Sequence, residues 1–225
     1  MKQFKAFFLV AGTTIILVST SCSSLNKTQK GVIIGTGAGA AVGAGVGKLA
    51  GNTALGAIIG AAVGGVTGGL IGKKMDDQAK ELEAIKNAEV TRVGEGINVT
   101  FNSGVLFSIN QYNLNEASKS NMRELVTILN KYPDTYVRIE GHTDASGTTT
   151  LNNELSEKRA MAVAVFLKDL GVADGRLKTA WYGESQPKFP NDTPENMAKN
   201  RRVEFAIYAN EKMKAEAIKE ATGTK

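Results

Sequence analysis

Asp144 and Arg159 stand fifteen residues apart in a stretch that reads Gly141-His142-Thr143-Asp144-Ala145-Ser146-Gly147 and runs on through Asn152, Leu155, Ser156 and Arg159. Residues 136–140 have the pattern of a strand, which puts Asp144 on the loop that leaves it. Arg159 follows two turns into the next predicted helix. Asn152, Leu155, Ser156 and Arg159 fall at i, i+3, i+4 and i+7, so they share one helical face. An acid and a guanidinium held in this way grip a ligand that carries both an ammonium and a carboxylate. The acid accepts from the cation, and the arginine forks onto the anion. Such chemistry is recognition, not bond making.

Catalytic alternatives lack parts. His142 is the sole histidine, which excludes a multi-histidine metal site. Cys22 is the sole cysteine, and no Gly-x-Ser-x-Gly elbow is present, so acyl transfer has no evident nucleophile. Asp144 and Glu184 could form a glycosidase couple, but Arg159 would hold Asp144 ionised and occupied. No catalytic residue, metal or cofactor is assigned. The formal charge is +5, falling to about +3 if Lys2 and Lys5 are removed with a leader. No basic stripe interleaved with aromatics appears, so nucleic acid is not an expected partner.

The Asp144 block resembles the OmpA-like peptidoglycan-binding family. Phe107 matches the family's phenylalanine in an opening strand, Tyr182-Gly183-Glu184-Ser185-Gln186-Pro187 its G-x-G-E-x-x-P, and Asn200-Arg201-Arg202-Val203-Glu204 its closing strand. The likeness spans about 120 residues, from 88 to 209. It implies a peptidoglycan partner, with Asp144 and Arg159 clasping the free end of diaminopimelate in the stem peptide. Thr143, Asn152, Leu155 and Ser156 would assist, and Asn110 would wall the cleft. Arg201 and Arg202 read as a structural pair, one bonding the sheet edge and the other solvated.

The amino-terminal residues follow a different logic. Lys2 and Lys5, an apolar run over 6–18 and the small residues Ser19-Thr20-Ser21 compose a secretory signal, too short for a span. Ending at Cys22, it resembles a bacterial lipoprotein signal, which implies lipidation of Cys22. Ser23, in place of an acid, resembles outer-membrane sorting, so the expected location is the cell outer membrane with the C-terminal part in the periplasm. Residues 1–21 are thus the signal and 22–30 a lipidated tether.

Glycine then recurs every fourth residue, at Gly31, Gly35, Gly39, Gly43, Gly47 and Gly51, and again at Gly56, Gly60, Gly64, Gly68 and Gly72. Each ladder of about 20 residues makes a helix of roughly 30 Å, the thickness of a bilayer's hydrocarbon. The period leaves a groove along which two backbones approach closely. Each glycine costs about 1 kcal/mol in a water-exposed helix, so the ladders call for lipid or a tight assembly. Residues 31–73 are expected as a transmembrane or oligomerising hairpin, with membrane lipid and a second copy of the chain as partners. This segment resembles the glycine zipper of YiaD-like lipoproteins. Lys27, Lys30, Lys73 and Lys74 flank it and would favour cytoplasmic ends, but wall binding requires the periplasm.

Residues 74–87 read as a charged helical linker and 211–225 as a solvated charged tail. Between them, 88–210 should form the wall-binding domain. A hairpin turns at Gly94-Glu95-Gly96, residues 105–108 continue as strand, and helices cover 114–131 and 152–170. Strands follow over 176–182 and 202–208. This β-α-β-α-β-β order predicts an α+β domain with two helices on one mixed sheet, preceded by the glycine-zipper hairpin. The leading expectation is a non-enzymatic lipoprotein linking the envelope membrane to the wall. Two rivals are a glycine-zipper channel or stator-like assembly anchored to the wall, and a peptidoglycan hydrolase.

Overall fold

The computed structural model describes residues 53–223 except residue 109, so the signal segment, Cys22 and the first glycine ladder lie outside the described residues. Strand alternation organises the rest. In β5 (Arg202–Ala209), Val203, Phe205, Ile207 and Ala209 join Ile97, Val99, Phe101, Val137 and Ile139 in the main core. The intervening Arg202, Glu204, Ala206 and Tyr208 turn to the opposite face. β2 (Gly96–Asn102) and β3 (Thr135–His142) flank β5 antiparallel, and β1 (Ala88–Val93) pairs with β2 as a hairpin. β4 (Leu177–Trp181) runs parallel to β3, giving a mixed sheet of order β1-β2-β5-β3-β4.

Two expected helices cover the core face. α4 (Glu116–Lys131) starts where the Asn115 side chain accepts from the Ser118 amide and buries Met122, Leu125, Val126 and Leu129. α5 (Thr149–Asp169), capped by Thr148, buries Ala160, Val163 and Leu167. Each fully buried aliphatic side chain contributes about 1.5–3 kcal/mol. The α+β class and the mixed sheet hold.

Three stretches differ from expectation. Residues 105–108 do not extend a strand; α3 (Ser103–Leu106) is one helical turn, started as the Ser103 amide donates to the Arg201 carbonyl at 2.7 Å. Phe107 keeps only an isolated bridge to Leu114 among the described residues. Second, the charged linker is no free spacer. α2 (Gly65–Leu82) buries Ile71, Met75, Ala79 and Leu82 at spacings of three and four, in the same core as Val99 and Phe205. Third, the tail folds as α6 (Glu211–Thr222), whose Met213 and Ala217 close that core. Both helices carry charged residues beside one narrow apolar stripe.

The second ladder is broken. α1 (Thr53–Gly60) ends, Gly64 and Gly65 take φ of 74° and 65°, and α2 begins. Glycine alone adopts such angles at no steric cost. Ala54 and Ile58 of α1 lie on Ala206, with Val93 and Tyr208, against the sheet face opposite the main core. At the break, Glu95 of the β1–β2 turn accepts from the Val63 and Gly64 amides at 2.7 and 2.8 Å. A Cβ on Gly68 would stand 2.1 Å from that carboxylate. The glycine period here admits the chain's own hairpin instead of a second helix. No helix of the described residues is long and apolar enough to cross a membrane.

Candidate functional site

The site is built where α5 lies across the end of β3. Gly141 makes this approach feasible: a Cβ there would stand 2.1 Å from the Ser156 carbonyl. Three residues on, the chain leaves the sheet, and Asp144 turns under the first turns of α5. A cleft of about 1180 Å³ opens beside it. Six of the seven residues singled out from the sequence line it together: Thr143, Asp144, Asn152, Leu155, Arg159 and Asn110.

Ser156 does not line it. Its hydroxyl donates to the Asn153 carbonyl at 2.8 Å and accepts from the Gly183 amide at 3.0 Å. Its place on the helical face is as predicted, but one step nearer the sheet, so it ties the Gly183 turn to α5. Asn152 supports its neighbour: its amide nitrogen donates to the Asp144 carbonyl at 3.2 Å. Asn110 takes a left-handed φ of 56°, a conformation that asparagine tolerates better than most.

Asp144 is buried, 3% exposed, yet well supplied with donors. One oxygen accepts from the Ser146 amide at 3.1 Å and from the Ser146 hydroxyl. The other is ion-paired to Arg201. Burial acts to raise its pKa, but the hydrogen bonds from Ser146 and Arg201 outweigh it and hold the carboxyl below the usual range.

Arg159 is the opposite case. It is 4% exposed, and no carboxylate lies within ion-pair distance of it among the described residues. Its Nε donates to the Gln111 carbonyl at 3.1 Å, its guanidinium carbon sits 5.2 Å from the Phe107 ring centre, and Nη1 is buried without a partner among the described residues. Burial, then repulsion from Arg201, pushes its pKa down to about 10. The Thr143 hydroxyl is likewise buried without a partner among the described residues.

Sequence patterning of the Asp144 block does not single out Arg201. Instead of serving only as a structural partner of Arg202, it lines the cleft and holds the acid. A signal was available. Arg201 has the parity of Val203 and Phe205, which face the core side, whereas Arg202 has that of the opposite face. Arg202 is the structural one: its guanidinium donates to Glu204 at 2.6 Å and to the carbonyls of Asn200 and Gln186 at 3.2 and 3.1 Å.

His142, Tyr182 and Glu184 do not line the cleft. His142 is fully buried and stacks on Tyr182 with ring centres 5.5 Å apart. Burial, then the Arg202 charge, pushes its pKa down to about 3, so it is neutral. Its Nε2 is 3.9 Å from Glu140, beyond hydrogen-bond reach. The Tyr182 hydroxyl accepts from Arg138 at 2.7 Å on the same back face. Glu184 does not face Asp144; it accepts from the Thr149 hydroxyl at 2.7 Å at the start of α5.

Comparison with known proteins agrees with this fold. The model of the OmpA family matches residues 106–201, which contain α4, β3, α5, β4 and most of the cleft lining. The outer-membrane lipoprotein YfiB of Pseudomonas aeruginosa is 33% identical over 115 residues, 51% of this chain and 68% of that protein. The chain belongs to the OmpA family. Lipoprotein YiaD of Escherichia coli is 37% identical over 140 residues, 61% of this chain and 64% of YiaD. The peptidoglycan-associated lipoprotein of Buchnera aphidicola is 33% identical over 98 residues, 44% of this chain and 57% of that protein. The chain spans less still of outer membrane porin F of P. aeruginosa, 31%. A YMGG-like Gly-zipper model matches residues 1–76. Among solved structures, a MotB-like protein of Desulfovibrio vulgaris superposes with a TM-score of 0.55 at 25% identity, over 62% of this chain and 90% of that one. OmpA-family membership, the Gly-zipper and the relation to envelope lipoproteins stand on these likenesses.

Proposed function

We propose that this protein is a non-enzymatic lipoprotein that binds peptidoglycan stem peptides through their diaminopimelate end and links the outer membrane to the wall. The observation that carries the reading is Arg159, a buried guanidinium without a carboxylate partner among the described residues, lining one cleft with Asp144. An unpaired buried charge is costly, and a ligand carboxylate would relieve it. Asp144 would take the ligand's ammonium, and Thr143, Asn152, Leu155 and Asn110 would shape the cleft around the aliphatic chain. The relatives are outer-membrane and peptidoglycan-associated lipoproteins by name, which supports the same partner.

Lipid on Cys22 and the first ladder would hold the membrane, and a second copy of the chain could pair along that ladder. Two weak attachments joined by one chain raise the effective concentration of each at the other's site, so neither need be tight alone. Co-sedimentation of the full chain with purified sacculi tests the wall contact. Wild type should sediment, and Asp144→Ala and Arg159→Ala should stay in solution; equal sedimentation of all three overturns the site. Intact-mass analysis of the membrane-extracted protein tests the anchor, and an unmodified Cys22 would sink it. The channel or stator-like alternative predicts conductance of residues 22–75 in bilayers.

A further inference from the structure

The two ends of the proposed clamp are not equivalent. At the acid end, Asp144 is already neutralised by Arg201 and hydrogen-bonded by Ser146. An incoming ammonium therefore exchanges for a partner already present. At the basic end, Arg159 is 4% exposed, and no counter-ion is in place among the described residues. What its Nε meets is a neutral carbonyl, that of Gln111. The charged residues that line the cleft, Lys158, Arg159, Lys199 and Arg201 against Asp144, Glu154 and Glu195, leave one positive charge over. An incoming carboxylate is thus a net gain of an ion pair, and the ammonium only a substitution.

We propose that the cleft reads the ionisation state of the ligand's terminal carboxyl, admitting stem peptides whose diaminopimelate ends in a free carboxylate and rejecting those in which that carboxyl is a carboxamide. The proposal rests on the wall-binding reading above and names which wall chemistry the site accepts. A carboxamide has almost the shape of a carboxylate, so shape alone does not exclude it. It is neutral, and it turns an N–H₂ donor towards a guanidinium that is itself donor only. The amide oxygen accepts one hydrogen bond, but Arg159 would gain no counter-ion and one of its donors would face another. Sites that hydrogen-bond a specific group reject the analogue lacking it far more strongly than apolar pockets reject a size change. The amide should bind about 100-fold more weakly. Loss of the terminal ammonium should cost less, about 10-fold, because Arg201 keeps Asp144 satisfied.

Titration calorimetry on the detergent-purified full chain separates the possibilities with three muropeptide fragments. One ends in diaminopimelate, one in its terminal carboxamide, and one in 2-aminopimelate, which lacks the ammonium. The expected order of affinity is free acid, then 2-aminopimelate, then amide. Arg201→Gln should preserve the preference for acid over amide, and Arg159→Gln should abolish it, with circular dichroism confirming that both fold. If acid and amide bind equally well, the proposal fails and the wall-binding reading stands. If no fragment binds, both fail together. Preference for the acid that survives in Arg159→Gln would also overturn it, since the discrimination would then lie elsewhere.

Discussion

Arg202 and Arg159 are both buried arginines, 1% and 4% exposed, and they lie on opposite faces of one sheet. Around Arg202 the charged groups close on themselves. It donates to Glu204 and to two carbonyls, Asn98 donates to Glu204 at 3.1 Å, and Arg138 pairs with Glu140 at 2.5 Å. Glu140 and Glu204 face each other across β3 and β5, each with its own guanidinium. Around Arg159 the groups stay open: one hydrogen bond, one aromatic ring and a buried donor without a partner among the described residues. Burial of charge is therefore not by itself a sign of function. An incomplete shell around a buried charge is, because stability alone would favour completing it.

The sharpest way to break this comparison is to remove each arginine in turn. Arg202→Leu takes the cation away from buried Glu204 and should cost about 3–5 kcal/mol of stability, read as a lower urea midpoint. Arg159→Leu should leave the midpoint unchanged or raise it by up to about 1 kcal/mol, since it removes an unpaired charge. The same change should weaken muropeptide binding by about 2–5 kcal/mol in calorimetry. Equal destabilisation by both variants would erase the distinction between the faces.

Acid unfolding sharpens it further. His142 has a folded pKa of about 3 against an unfolded value of about 6.5, so the unfolded chain takes up a proton that the native one refuses. Stability should fall as pH drops from about 6.5 towards 3, by about 1.4 kcal/mol per pH unit from this group. Urea titrations at pH 7 and pH 5 should show His142→Gln losing about 2 kcal/mol less than wild type across that interval. Identical losses would mean that the back face opens to solvent before His142 titrates.

The smallest effect belongs to the ladder. Glu95→Ala removes the carboxylate that accepts from the Val63 and Gly64 amides. It should lower global stability by about 1 kcal/mol or less. It should also expose residues 61–64 to protease while sacculus binding is kept. An unchanged cleavage rate there would show that apolar packing of Ile58 on Ala206 suffices to hold the segment.

Much of the site was readable from local order alone. The Asp144 block, its helical face and the α+β frame follow from spacings of two, three and four residues, which dictate what shares a face. Asp144 and Arg159 reach one cleft because a strand, a loop and a helix of fixed rise leave few other arrangements. Cys22, the signal-like start and the glycine period are equally properties of the chain itself. Tertiary structure decided the rest. Arg201 pairs with Asp144 across fifty-seven residues because β5 runs beside β3, a juxtaposition that no local pattern encodes. Ser156 fell to a structural role because Gly141 lets α5 close onto the strand end. The second ladder, apolar enough to suggest lipid, found an apolar surface in Ala206 and Tyr208 of its own domain. Apolar periodicity says that a face must be covered; which surface covers it depends on what the rest of the fold brings within reach.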